Sequence, residues 1–313
     1  MQYRRLGHAG MKVSAISFGG WINYGEGKVA EDTAKEVVEA AYANGINYFD
    51  LADVYGRGEA EKQMGAVLKK YPRHTLVIAT KVFWPMSDDV NDQGLSRKHI
   101  FESIDKSLQR LGTDYVDIYF CHRPDPDTPM IETIRAMDDL VRMGKVLYWG
   151  TSVWSGAQIR EALDICAKGG YYPPQTDQPQ YSMVWRDAVE KDVLPVAEPN
   201  GMGLVVFSPL AQGLLTGKYD SGLPEDSRFA REGWVRERFL TETNVNKVKA
   251  LKPIADDLGI TRSQLALAWI LRQPGVSSAI IGATKVAQLE DNVAAANVTL
   301  TPEVITRIEA VLA

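Results

Sequence analysis

Cysteine is nearly absent from this chain: Cys121 and Cys166 are the only two in 313 residues. Such a pair supports neither a disulfide framework nor a cysteine zinc site, and it suits a reducing compartment. Long apolar runs are also missing. No stretch approaches the roughly twenty residues of a membrane span, and the opening MQYRRLGHAG lacks the apolar core of a signal peptide. A cytoplasmic location is the expectation. Nor is there a strong excess of one charge: the formal net charge is −5, with no long run of Lys and Arg. That leaves no electrostatic footprint for nucleic acid and points to small-molecule partners. Finally, no linker rich in Pro, Gly or Ser marks a domain boundary, so residues 1–313 are read as one domain.

What is present is an ordinary globular balance, 45% hydrophobic and 24% charged, with enough apolar material for a large core. Tyr3 to Leu6 and Met11 to Val13 flank the turn signal Gly7-His8-Ala9-Gly10, which predicts a small hairpin closing the bottom of the fold. Strand candidates follow at Ser14–Phe18, Ile46–Phe49, Leu76–Ala79, Tyr115–Phe120, Val146–Gly150, Gln175–Gln178, Leu204–Phe207 and Ala279–Ile281. Helical periodicity fills the intervals, opened by Ser96, by Thr128 with Pro129, and by the capping boxes Ser155/Gln158 and Thr261/Gln264. Thr301-Pro302 opens one more helix at the end. Eight strands alternating with helices predict an α/β fold, a single closed (β/α)8 barrel of the TIM type. The stretch from Ser208 to Thr243 breaks the rhythm after the seventh strand, and its Leu214, Leu215, Phe229, Trp234 and Phe239 predict a folded lid.

The chemistry gathers around NYFDLADVYGRG. The strand ends at Asp50, Tyr55 follows on the loop, Lys81 ends the next strand, and His122 ends the one after. In a barrel these strand ends share one side of the mouth. Singly, each has a plainer reading: a turn cap, a solvated lysine, a structural histidine. Together they form a proton-delivering group, with Tyr55 the acid, Lys81 lowering its pKa, Asp50 holding Lys81, and His122 hydrogen-bonding the same substrate oxygen. That is half of a carbonyl reduction. The other half is a hydride, which no side chain supplies, so a nicotinamide is expected. Gly25, Gly27 and Ala30 match G-x-G-x-x-A, but residues 21 to 24 separate them from the first strand, where a dinucleotide turn should begin at once. A Schiff-base role for Lys81 in a lyase is a further alternative, which the neighbouring Asp50 and Tyr55 disfavour.

Motifs along nearly the whole chain, among them YRRLGHAGMKVS, GINYFDLADVYG, YVDIYFCHRPDP, YWGTSVWS, FSPLAQGLLTGKYDSGLP and GVSSAIIGATKVAQLEDN, are together highly specific. In these the sequence resembles the aldo-keto reductases, and in detail the branch containing the β subunits of voltage-gated potassium channels and their bacterial relatives. The resemblance implies bound NADP(H) and a tetrad of Asp50, Tyr55, Lys81 and His122. It implies Trp21 beside the nicotinamide, Ser152 and Gln178 on its carboxamide, and Phe207 along the ring. Ser208, Pro209, Leu210, Ala211 and Gln212 would run along the pyrophosphate, and Lys218 and Arg228 would clasp phosphates. Gly282, Thr284, Gln288, Asp291 and Asn292 would hold the adenosine end, with Lys285 a further cation favouring the 2′-phosphate. Trp21, Trp84 and Trp154, with Tyr55, would wall a pocket for apolar or aromatic aldehydes.

Two departures matter. Channel subunits carry asparagine where this chain has His122, the histidine of working reductases, which favours turnover. They also carry arginine where it has Val153. The resemblance implies a homotetramer as well. The readings left are a reductase of aldehydes, with ketones as a further substrate class, and a cofactor-loaded sensor subunit with slow chemistry.

Overall fold

The computed structural model describes residues 1–21 and 31–313. It opens with a two-stranded antiparallel hairpin, β1 (Tyr3–Arg5) and β2 (Lys12–Ser14). Eight parallel strands then close into a barrel: β3 (Ile16–Gly19), β4 (Tyr48–Asp50), β5 (Val77–Val82), β6 (Val116–Cys121), β7 (Val146–Thr151), β8 (Thr176–Asp177), β9 (Gly203–Val206) and β10 (Val276–Ile281). The ring is sealed where β10 pairs with β3, Ala279 opposite Ile16. A closed ring excludes the open doubly wound sheet that a dinucleotide turn would serve. Gly25, Gly27 and Ala30 themselves lie outside the described residues.

Alternation along the strands divides the core in two. Tyr48, Val77, Ala79, Ile118, Phe120, Val205 and Ile280 point inward and pack with Leu6, Ala9 and Val13 of the hairpin region. The hairpin therefore plugs the bottom of the barrel. Phe49, Ile78, Val82, Tyr119 and Cys121 point outward into the larger layer between barrel and helices. One consequence reaches the mouth: Asp50, Lys81 and His122 have the inward parity of Tyr48, Ala79 and Phe120. Ser152, Gln178 and Phe207 have the same parity at the ends of β7, β8 and β9.

The capped helices start as the sequence predicts, with one exception. Ser96, Thr261 and Thr301 accept from backbone amides three residues on, and both capping boxes form. Thr128 does not cap; the helix begins at Met130 after Pro129, and the Thr128 hydroxyl donates to Asp125 Oδ2 at 2.8 Å. The second strand is also displaced: Asp50 lies within the ladder opposite Ala79, while Ile46 and Asn47 precede it. The stretch after β9 is folded, with a 3-10 segment Ala211–Thr216 and helices Arg228–Arg231 and Gly233–Phe239. Leu214, Leu215, Phe229 and Phe239 are buried there, whereas Trp234 is exposed. A last helix, Pro302–Leu312, docks through Glu309, which accepts from the Trp269 indole and pairs with Arg186 and Arg272. No helix among the described residues is long and apolar enough to cross a membrane.

Candidate active site

A cavity of about 920 Å³ opens at the carboxyl ends of the strands. Asp50, Tyr55 and His122 reach its wall, and Lys81 lies directly behind them, fully buried. The lysine ammonium has three protons, and each has an acceptor: Asp50 Oδ2 at 2.6 Å, the Leu51 carbonyl at 2.5 Å and the Tyr55 phenol oxygen at 3.1 Å. Because Tyr55 accepts from Lys81, its own hydrogen is left to point elsewhere. The other Asp50 oxygen accepts from Gln178 Nε2 at 2.8 Å. Tyr55 and His122 meet edge to face, 5.8 Å between ring centres.

The electrostatics follow from burial and these partners. Burial pulls the Lys81 ammonium down, but Asp50 and Tyr55 more than offset it and hold it above its ordinary value. Tyr55 is shifted the other way from the sequence expectation. Burial raises the phenol, and the opposing pull of Lys81 does not cancel it. Tyr55 thus keeps its proton near pH 7. His122 is driven well below its ordinary value, first by burial and then by the charges of Lys81 and Arg123, so its imidazole is neutral. Asp50 is raised by burial, against the pull of Lys81.

Behind this group lies a second polar layer that carries the Tyr55 loop. Asp53 accepts from Val54 N at 2.6 Å and from Ser103 Oγ at 2.9 Å, and its own amide donates to the Lys81 carbonyl at 3.3 Å. Glu61, fully buried, accepts from Thr80 at 2.5 Å and from Arg110 Nε at 2.6 Å. Burial, and then the charge of Glu61, pushes Asp53 up to about 7.

The remaining predicted residues fall into two groups. Trp21, Ser152, Gln178, Phe207, Ser208, Pro209, Leu210, Gln212, Lys218, Arg228, Gly282, Thr284, Gln288, Asp291 and Asn292 all line the cavity, and Trp84 walls its other side. Many already have protein partners: Ser152 donates to the Gln178 carbonyl at 2.9 Å, Arg228 to Gln212, and Asp291 accepts from Gln264 at 2.9 Å. Ala211 is fully buried, and Trp154 is buried in the outer core; neither lines the cavity. Val153 explains the second case. Its left-handed backbone, φ 57°, breaks the alternation that would carry the next side chain into the mouth.

Sequence reasoning left out Arg123, Arg231, Gly213 and Trp234, which also line the cavity. Arg123 follows His122 directly, and nothing in FCHRPD marks it as other than a surface arginine. Trp234 sits 6.4 Å from Trp21, so the lid reaches back over the first strand end. Lys218, Arg228, Arg231 and Lys285 also line the cavity, together with the acids Asp226 and Asp291, and Arg228, Arg231 and Asp226 act on Lys218. Burial and then Arg228 lower Lys218, as expected where cations converge without enough anions. Nearby, Ser208, Ala211, Gln212 and Gly213 all have positive φ, a strained run typical of a backbone shaped around a ligand.

A parallel barrel with a tyrosine, a buried lysine–aspartate pair and a neutral histidine at one side of its mouth defines a class. The aldo/keto reductase family model matches residues 15–313, and the chain belongs to that family of oxidoreductases. Among individual proteins, it is 46% identical to a probable voltage-gated potassium channel subunit beta of Arabidopsis thaliana, over 100% of this chain and 97% of that one. A probable subunit of the same description from Oryza sativa subsp. japonica is 45% identical over the same shares. A putative one from Schizosaccharomyces pombe is 44% identical, covering 99% of this chain and 93% of its own.

Proposed function

We propose that this protein is an NADP(H)-dependent reductase of aldehydes, extending to ketones, with Tyr55 as proton donor. The observation that carries the reading is the saturated ammonium of Lys81. With all three of its protons engaged, it fixes the phenol oxygen as an acceptor and turns the Tyr55 hydrogen toward the cavity. The cofactor fits the residues present. Lys218, Arg228, Arg231 and Lys285 line the same cavity as Tyr55, Gln178 and Phe207. Lys218, Arg228, Arg231 and Lys285 would hold the phosphates, and Ser152, Gln178, Phe207 and Trp21 the nicotinamide end. When bound, the cofactor supplies the hydride.

The chain's own part is proton work. A substrate oxygen beside Tyr55 and the neutral His122 receives the Tyr55 proton as negative charge develops on it. The phenolate left behind lies against Lys81, which favours that form. Asp50 keeps Lys81 charged and aimed. Tyr55→Phe removes the donated proton and leaves the cation cluster intact. Turnover of 4-nitrobenzaldehyde is expected to fall by about 10²- to 10⁴-fold, with NADPH affinity, read by fluorescence titration, within twofold. A variant with full activity would rule Tyr55 out as the donor.

A second reading is favoured by the potassium channel beta subunits among the relatives: a cofactor-loaded regulatory subunit in which chemistry is slow. Steady NADPH loss with added aldehyde supports the reductase, whereas a single slow turnover supports the regulatory subunit. On either reading we place the protein in the cytoplasm and expect a homotetramer, which equilibrium sedimentation tests.

A further inference from the structure

Among the described residues, five arginines elsewhere in this molecule that are partly buried come with acids, while Arg4 donates to the Val276 carbonyl and Arg228 to Gln212. Arg73 reaches Asp117, Arg110 reaches Glu61, Arg186 reaches Glu190 and Glu309, Arg262 reaches Asp220, and Arg272 reaches Glu309. Arg123, at the reacting end of the cavity, has no such ion pair. It lines the cavity between His122 and Trp84, and no carboxylate among the described residues forms an ion pair with it. Its contacts are the His122 carbonyl, which accepts from Nη1, and the Trp84 ring, 5.6 Å from its Cζ. Asp177 influences it, but one oxygen of that carboxyl accepts from Thr151 Oγ1 at 2.7 Å, and burial pushes the group up to about 7. Its charge is felt by both Tyr55 and His122, so the guanidinium faces the reacting end of the cavity. It follows β6, whereas the cation cluster assigned to the cofactor lies beyond β9, across the mouth.

A desolvated guanidinium without a counter-ion is costly in an unliganded pocket and favourable once an anion arrives. Resting on the reductase reading, we propose that the substrate is an anionic carbonyl compound, bearing a carboxylate or a phosphate. Arg123 binds that anion while Trp84 packs against the carbon frame. Arg123 is on this view a specificity-determining residue that acts on the part of the substrate remote from the carbonyl.

The test uses three aldehydes of one shape: 4-nitrobenzaldehyde, 4-formylbenzoate and 4-formylphenyl phosphate. The read quantity is the ratio of kcat/KM for each anionic aldehyde to that for the nitro compound. Comparing this ratio between proteins cancels both the ring electronics and any effect of Arg123 on Tyr55 and His122, since these act on every substrate. Arg123→Gln is expected to lower the ratio about 10- to 100-fold, the weight of a charge-assisted contact, and Arg123→Lys to restore much of it. Whichever anion shows the larger loss names the group. A ratio unchanged within twofold for both anions overturns the proposal while leaving the reductase intact. If no aldehyde is reduced, the reductase reading fails by itself, and benzoate binding by calorimetry decides the role of Arg123. Affinity at least tenfold weaker in Arg123→Gln supports an anion site, and equal affinity overturns it.

Discussion

At the scale of single residues, the chemistry depends on a charge that the protein could not tolerate alone. Lys81 has no exposed surface and Asp50 almost none, and they meet at 2.6 Å. Removing one member of such a pair leaves the other buried and uncompensated, at a cost of about 3–5 kcal/mol. Lys81→Met should therefore destabilise the fold strongly in urea unfolding. Adding Asp50→Asn should return a good part of the loss, because the orphaned carboxylate is gone. If the double variant were as unstable as the sum of the two singles, the pair would not be coupled as drawn. Asp50, Lys81 and His122 were legible because each is a polar residue near the end of an apolar strand, and Tyr55 because it follows Asp50 on the loop. Arg123 was not, since what distinguishes it is a missing acid, and a missing contact leaves no mark in sequence. Trp154 was misplaced for a different reason: the positive φ of Val153 inverts the side-chain direction, and a valine gives no warning of it.

At the scale of elements, one parity rule sets the mouth. Residues pointing into the barrel recur every second position, so the inward residue at or just past each strand end belongs to the cavity. The sequence pattern located the strands closely enough for this, and it failed where local chemistry competed. Thr128 has the right residue type for a helix cap, yet Asp125 takes its hydroxyl. The lid was legible as folded because a solvated loop has no use for Leu214, Leu215, Phe229 and Phe239. The loop carrying Tyr55 depends on a feature that periodicity does not reveal. Gly58 has φ +91°, and a Cβ there would lie 2.6 Å from Arg110 Cδ, whose guanidinium is tied to Glu61 and Ser107. Gly58→Ala combines backbone strain with displacement of Arg110. It should cost about 1–3 kcal/mol in denaturant unfolding, and it should lower kcat more than NADPH affinity, because the Tyr55 loop moves while the cation cluster does not.

For the molecule as a whole, the buried acids set how stability responds to pH. Asp53 has a folded value of about 7, well above its unfolded value of about 3.9. Between those values the native state holds a proton that the unfolded chain has released, so this group's contribution is full below about pH 4 and is lost as pH rises toward 7. The loss is at most about 4 kcal/mol. Asp53→Asn keeps the shape, and the Ser103 hydroxyl can turn to accept from the new amide. The variant should gain melting temperature over the parent at pH 8 and little near pH 4; an equal gain at both would show that the carboxyl is not the titrating group. His122 acts with the opposite sign. Its depressed value means that the unfolded chain takes up a proton the native state refuses below about pH 6.5, so stability falls as pH drops.

The sealing of the ring by β3 and β10 also has a consequence in time. Ile16 leaves the ribosome long before its partner Ala279 has been made. At about 5–20 residues per second, the first barrel strand waits on the order of tens of seconds for the neighbour that covers its edge. During synthesis that edge is an exposed template for pairing with another chain. Chaperone dependence during translation should therefore follow the rate of elongation between β3 and β10 more closely than the stability of the finished protein.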